Sequence, residues 1–190
     1  RLDRRGRGVL TAVQEALAGR TEREPAMELR SRIESRVRPA LEEARAELTL
    51  FLDVLEPLLP SDAKGAVRLG TVEMPEPASH PAVRERLDGL VSAFRTLSRE
   101  LRGVRERLED HDTLGEGLEG RLLDLRNGEG RLVDTAHTLR TVLNGDAEEV
   151  RYVRWLEWRG KSRGKNRNLV IASAPIEVGD LLREHLFGKV

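Results

Sequence analysis

A heptad repeat of apolar side chains constrains the fold of this chain more than any other feature. Apolar positions recur at alternating steps of three and four residues, which places them on one side of a long helix. A second stretch repeats the pattern after a short break, and two such helices with a short connection pack antiparallel as a hairpin. The first seam contains Leu87, Leu90, Phe94, Leu97, Leu101, Val104 and Leu108, and the second contains Leu118, Leu122, Leu125, Leu132, Ala136, Leu139 and Leu143.

Glu129 interrupts the second seam at a position where the repeat requires an apolar residue. Gly128 and Gly130 flank it. Because glycine weakens the interior of a helix, we expect a local weak point in the hairpin there. Asn144 and Gly145 follow the last apolar position and have the residue types that end helices.

Two earlier helices are predicted to complete a bundle with the hairpin. The first covers Asp3 to Ala18, and the second begins near Pro25 and ends before Pro57. Pro39 lies inside the second helix and should kink or split it, because proline lacks a backbone donor and clashes with the preceding turn. The apolar stripe of the second helix contains Ile33, Val37, Leu41, Ala44, Leu48, Phe51 or Leu52, and Leu55.

The pattern changes after the bundle. Residues 61–79 read as a connector, in which Val67–Met74 has the composition of a short strand. Val150–Arg159 and Asn168–Ala174 are predicted strands, and Val178–Phe187 has the spacing of a short amphipathic helix. The sequence therefore predicts a mainly α fold: an antiparallel helical bundle with a long heptad hairpin, plus a short C-terminal β-strand pair and helix from an α/β body.

Composition narrows the possible functions. The formal net charge is zero, so no overall charge draws the chain toward nucleic acid or an acidic membrane. The chain has no cysteine, which excludes disulfides and thiolate metal sites within it. No apolar stretch approaches the roughly 18 residues that a membrane span needs, and no secretory signal opens the chain. We expect a cytoplasmic protein with no membrane partner.

The sequence contains no recognisable catalytic constellation. Gly160, Lys161 and Ser162 match only the last letters of a phosphate-binding loop, and the upstream glycine is missing. The histidines lie far apart and lack the spacing of metal ligands. We therefore predict no catalytic residue, no metal site and no cofactor within this segment.

One segment has the composition of a nucleic-acid interface. Basic side chains alternate there with aromatic ones, and such side chains track a phosphate backbone and stack on unpaired bases. The alternative is a hydrophilic hairpin turn beneath core tryptophans. The candidate DNA-binding residues are Arg151, Arg154, Arg159, Lys161, Arg163, Lys165 and Arg167, and the candidates for base stacking are Trp155 and Trp158.

The last forty or so residues resemble the DinG-type DNA helicases, which are bacterial relatives of XPD. Those helicases have a Trp-containing strand, a loop, an apolar strand ending in Ala-Pro, and a short helix ending in Leu-Phe. The opening residues 4–10 (RRGRGVL) are weakly similar to the segment that follows the Asp-Glu-Ala-His box of the family. The stretches that carry the resemblance are residues 152–157 (YVRWLE), 168–178 (NLVIASAPIEV) and 181–187 (LLREHLF).

The resemblance implies a segment of a longer ATP-dependent helicase that moves 5′ to 3′ on single-stranded DNA. Residues 1–20 would adjoin the motor domain, residues 21–146 would form the helical arch, and residues 147–190 would belong to the first motor domain. The rest of that polypeptide would bind ATP and magnesium, and some members of the family also hold an iron–sulfur cluster. The implied partners are single-stranded DNA and the remainder of the helicase.

A rival interpretation explains the bundle equally well. A helical bundle with coiled-coil character and neutral charge is typical of a protein-interaction module with no nucleic-acid function. This interpretation gives no reason for the order of the Trp-bearing strand, the Ala-Pro strand and the Leu-Phe helix.

Overall fold

The computed structural model describes residues 2, 8–20, 23–59, 66–71, 75–144, 152–159 and 168–175. The predicted mainly α fold class is confirmed: helices dominate these residues, and a small antiparallel sheet accompanies them. The predicted helix over Val178–Phe187 lies outside the described residues. The elements are α1 (Val9–Ala18), α2 (Arg23–Arg32), α3 (Arg38–Leu55), β1 (Ala66–Arg68), α4 (Pro81–Glu109), α5 (Asp112–Gly115), α6 (Glu119–Asn144), β2 (Tyr152–Arg159) and β3 (Asn168–Pro175).

The chain divides into two compact units. Unit 1 comprises Arg1–Leu50 and Asp88–His137, and unit 2 comprises Phe51–Leu87 and Thr138–Val190. Helices α3, α4 and α6 therefore contribute residues to both units. The functional boundaries at residues 1–20, 21–146 and 147–190 stay a prediction.

The core of unit 1 follows the apolar stripes of the sequence. Leu97, Leu101, Val104 and Leu108 of the α4 seam are buried in one cluster with residues of α1, α2 and α3, and the partly buried Phe94 packs against it. Leu48 departs from the prediction, because 39% of its surface is exposed. Helix spacing places Leu48 almost in line with the buried Leu41, seven residues earlier, so periodicity alone does not account for this exposure. The most deeply buried members are Leu10, Val13, Ile33, Val37, Leu101, Val104, Leu108 and Leu125.

The first helix begins later than the sequence analysis predicts. Gly8 has φ −89° and ψ 174°, which is extended backbone, so α1 begins at Val9 rather than at Asp3. Residues 3–7 lie outside the described residues. The predicted end of the helix at Ala18 is confirmed, and the N–H of the following residue, Gly19, reaches carbonyls of the last turn.

Pro39 does not split the second helix. Helical backbone continues from Arg23 to Leu55, but Ile33–Val37 forms a π-helical turn directly before the proline. The N–H of Arg38 donates to the carbonyl of Ile33, five residues back. Because proline has no N–H to continue the ordinary ladder, a wider turn accommodates it while Ile33 and Val37 remain fully buried.

Helices α4 and α6 form the predicted antiparallel hairpin. Glu109 of α4 forms an ion pair with Arg126 of α6, and Arg105, which lies earlier in α4, pairs with Glu129, which lies later in α6. The two helices therefore run in opposite directions. Helix α6 runs without interruption through Gly128 and Gly130. The two glycines therefore do not break the helix at the expected weak point.

Glu129 is buried in the hairpin because it has polar partners there. Only 5% of its surface is exposed. Its Oε1 accepts a hydrogen bond from Nε of Arg105 at 2.8 Å, and its backbone carbonyl accepts one from the hydroxyl of Ser98 at 3.3 Å. The hydrogen bond to Glu129 raises the pKa of Arg105 above its usual value, although burial opposes that shift. A second partner, Glu109, holds the same guanidinium from its own helix.

We expect Gly130→Ala to raise the free energy of unfolding by about 0.5–1 kcal/mol, because alanine restricts the unfolded chain and favours helix. A Cβ at Gly130 meets nothing within 4 Å. Urea denaturation measures the change. Gly115→Ala is the control in α5, since its Cβ would lie 2.5 Å from the backbone carbonyl oxygen of Leu108. A gain of the same size at Gly115 would contradict the steric argument.

Unit 2 contains a three-stranded sheet in the order β1-β2-β3. Both pairs are antiparallel, so the predicted strand pair is confirmed. The third strand, β1, overlaps only the start of the predicted Val67–Met74 segment, because it begins at Ala66 and ends at Arg68. Leu156 in the central strand is fully buried, as are Phe51 and Val83 elsewhere in the unit. No helix among the described residues combines the length and the apolar character that crossing a membrane requires.

Candidate nucleic-acid interface

The predicted DNA-binding residues fall partly within the described chain. Arg154 and Trp155 lie in β2 with their side chains described, and the backbones of Trp158 and Arg159 continue the same strand. The side chains of Trp158 and Arg159 lie outside the description. The remaining candidates also lie outside it: Arg151, Lys161, Arg163, Lys165 and Arg167.

Arg154 is occupied by contacts within unit 2. Its Nη1 lies 2.9 Å from Oε2 of Glu76, and its Nη2 lies 2.5 Å from Oε1 of the same carboxylate. Nη1 also donates to the carbonyl of Val142 at 3.1 Å. Side-chain exposure is 12% for Arg154 and 26% for Glu76. The guanidinium therefore ties β2 to the segment before α4 and to the end of α6, and its accessible surface for phosphate is small.

Gly70 provides the space in which this pair forms. Its φ is +73°, a left-handed conformation that favours glycine. A Cβ there would lie 2.7 Å from Oε1 of Glu76 and 3.3 Å from Nη2 of Arg154. The N–H of Leu69, the preceding residue, donates to the carbonyl of Arg154 at 2.9 Å and extends the pairing of β1 with β2.

Trp155 is half-buried, so it is neither a core tryptophan nor a fully exposed ring. It lies opposite Arg68 of β1 on one side and Ala172 of β3 on the other. Residues directly opposite each other in antiparallel strands have their side chains on the same face. Arg68 is exposed, so a cation borders the tryptophan on an accessible face of the sheet.

Arg68 was not among the candidates from the sequence. Arg68 and Trp155 are far apart in the sequence, with helices α4, α5 and α6 between them. Only the register of β1 with β2 brings the two residues together. The one available signal was the strand-like composition of Val67–Met74. That composition does not determine which strand would pair with it.

The antiparallel register also fixes the two ends of the basic connection. Arg159 at the end of β2 pairs with Asn168 at the start of β3. The sequence between them, residues 160–167, contains Lys161, Arg163, Lys165 and Arg167 and no acidic residue. The chain as a whole has no net charge, so the sequence between β2 and β3 is a local concentration of positive charge.

The described residues contain no group of three or more acidic or histidine side chains that would hold a metal ion. Comparison of the chain with protein-family models, with curated proteins and with solved structures finds no match.

Proposed function

We propose that this chain is the accessory arch segment, with the adjoining edge of the first motor domain, of an ATP-dependent 5′–3′ DNA helicase of DNA repair or replication. In this role it guides single-stranded DNA and helps to separate strands. The rest of the helicase supplies the sites for ATP and magnesium. Support comes from the order of elements, in which a helical bundle precedes a Trp-bearing strand paired with an apolar strand that ends in Ala-Pro.

The observation that carries the proposal is the pairing of Arg159 with Asn168. This pairing brings together the two ends of residues 160–167, whose sequence has four basic side chains and no acidic one. In the proposal these cations bind the phosphate backbone of the single strand. The exposed Arg68 and the half-buried Trp155 add a cation and an aromatic ring on the same sheet. Stacking on such a ring tolerates any base, which suits a guide that does not read sequence.

The hairpin of α4 and α6 fits the mechanical part of this role. A strand guide must hold its shape while DNA moves past it. The apolar seam together with the buried Arg105–Glu129 pair gives the two helices one register, because sliding by a turn would separate the charges. In this proposal the hairpin excludes duplex by its bulk, and the basic residues bind the single strand.

Replacing Lys161, Arg163, Lys165 and Arg167 with alanine should weaken binding to single-stranded DNA. Each phosphate contact on a single strand contributes about 0.7 to the slope of log binding constant against log salt concentration, so losing four flattens the slope by about three. Fluorescence anisotropy with a labelled oligonucleotide measures this, with duplex DNA as the reference ligand. We expect the unaltered chain to prefer the single strand.

The matched control removes the same number of charges from exposed positions on the helices. Its slope should stay within error of that of the unaltered chain. An unchanged slope in the variant that lacks the four basic residues would mean that these residues do not contact DNA. The main support for the helicase role would then be removed. The control positions are Arg36, Arg95, Arg99 and Arg131, all of them exposed.

The interaction-module alternative has one specific observation in its favour. Met27, Leu123 and Val133 are 65%, 58% and 46% exposed on helices of unit 1. Exposed apolar side chains contact protein partners where they form a contiguous patch. The same titration separates the two functions, since an interaction module binds neither form of DNA even at low salt.

A further inference from the structure

The sheet of unit 2 has two edge strands, β1 and β3, which differ in length and charge. β1 covers three residues and ends with the exposed Arg68. Short strands and charged side chains are features by which edge strands avoid pairing with other chains. β3 covers eight residues, Asn168–Pro175, and contains no charged residue, although charged residues make up 35% of the chain. The edge at β3 is therefore long and lacks this protection.

The backbone of β3 is paired on one side along its whole length. Each of its residues lies opposite a residue of β2, from Asn168 opposite Arg159 to Pro175 opposite Tyr152. No strand among the described residues pairs with its other side, because the sheet order ends at β3. In an antiparallel strand the N–H and C=O groups of alternate residues point to opposite sides. The only proline of β3 is its last residue, so the groups on the outer side can pair with a further strand.

The side chains of β3 are apolar on both faces of the sheet. Val170 and Ala172 lie on the face of Trp155, which Ala172 opposes directly, and Leu169 and Ile171 lie on the other face. All four side chains of β3 are half-buried. A strand with one face in water alternates apolar and polar residues, whereas a continuous apolar run is typical of an interior strand. A strand added at this edge would bury more apolar surface on both faces.

We infer that β3 pairs antiparallel with β3 of a second copy of this chain, which joins two three-stranded sheets into one of six strands. An uncharged edge is matched by an uncharged strand of the same length, and β3 itself is such a strand. Contact of one edge with its own copy is isologous and closes as a two-fold symmetric dimer. A sheet of six strands also lies within the usual size, whereas one of three strands is small.

The sequence beside β3 favours the antiparallel direction. Residues 160–167 directly precede Asn168 and include four basic residues and no acidic one. Parallel pairing would bring two such sequences side by side, where their like charges repel. Antiparallel pairing keeps them at opposite ends of the strand pair, about 25 Å apart, since a strand rises roughly 3.3 Å per residue.

This inference does not rest on the helicase proposal, because it depends on the edge of β3 and not on DNA binding. Dimerisation should persist when Lys161, Arg163, Lys165 and Arg167 are alanine, because antiparallel pairing does not bring these residues of the two copies together. Conversely, a chain that stays monomeric would leave the salt dependence of DNA binding as proposed. The two proposals therefore fail separately.

Sedimentation equilibrium of the full chain over a wide range of concentrations tests the inference. We expect a monomer–dimer equilibrium. Ala172→Lys should weaken dimerisation by about tenfold or more, because it places a lysine from each copy near the middle of the strand pair. Ser173→Lys puts the charge on the opposite face at an exposed position and should have a similar effect. Circular dichroism verifies that both variants are folded.

The matched control makes the same substitution at the other edge of the sheet. Ala66→Lys lies on β1 at an exposed position and should dimerise like the unaltered chain. Hydrogen exchange gives a second readout, since amides of β3 should exchange more slowly at high protein concentration while those of β1 do not change. The inference is overturned if the chain is monomeric at every concentration, if Ala172→Lys and Ala66→Lys dimerise equally, or if exchange in β3 is independent of concentration.

Discussion

Glu129→Ala is expected to lower the free energy of unfolding by about 3–5 kcal/mol, because it leaves the guanidinium of Arg105 buried without its main partner. Side-chain exposure is 11% for Arg105 and 7% for Glu129, so water does not replace the lost carboxylate. Alanine is a better helix former than glutamate, and a loss therefore cannot come from helix propensity. Since Glu109 also contacts Arg105, we expect the lower end of the range. Urea denaturation followed by circular dichroism measures the effect.

The double variant Arg105→Met, Glu129→Leu tests whether the loss of stability comes from the unpaired buried charge. It fills the site with apolar side chains and removes both charges, so most of the lost stability should return. Asp134→Ala is the matched control, because Asp134 is exposed on the same helix and its loss should cost less than about 0.5 kcal/mol. If Glu129→Ala were as mild as this control, the buried pair would have no structural role.

Arg154→Ala is expected to cost about 2–3 kcal/mol, since it leaves the carboxylate of Glu76 and the carbonyl of Val142 without their common donor. Arg154→Lys should restore only part of this, because an ammonium cannot bind both carboxylate oxygens in the geometry of a guanidinium. Thermal and urea denaturation give the stability. Fluorescence anisotropy of a labelled oligonucleotide, measured under conditions in which the variant is folded, gives the affinity for single-stranded DNA. Arg154→Ala should leave that affinity unchanged.

Arg68→Ala is the counterpart on the neighbouring strand and should behave in the opposite way. Arg68 is exposed, so its removal should change stability by less than about 0.5 kcal/mol. Its position opposite Trp155 predicts weaker binding to single-stranded DNA. A loss of DNA affinity with Arg154→Ala, or a loss of stability with Arg68→Ala, would reverse the roles assigned here.

Periodicity predicted the helices of this fold well because it reflects burial directly. Every heptad position of α4 from Leu87 to Leu108 is buried except Phe94, which is half-buried. The π-turn before Pro39 was beyond that reasoning. Proline predicts that the ordinary ladder cannot continue, but whether the helix breaks or widens depends on the core that holds Ile33 and Val37 in place.

The polar sites were harder to predict, because the residues that pair in them lie far apart in the sequence. Glu129 was recognised as an exception to its seam, yet nothing in its neighbourhood identifies Arg105 as the residue that compensates it. The same holds for Arg154, whose carboxylate partner Glu76 precedes it by 78 residues. The sequence shows where positive charge is plentiful, whereas pairing in three dimensions decides which cations remain available to a ligand.

The burial of Arg105 and Glu129 also determines how this protein should respond to its ionic environment. Dissolved ions shorten the reach of exposed charges to about 10 Å at 0.1 M salt, but they do not enter the space between two buried ones. Salt that strips a nucleic acid from an exposed basic surface should therefore leave the helical hairpin intact. The proposed binding to DNA would therefore depend on the salt concentration, whereas the fold of the helical hairpin would not.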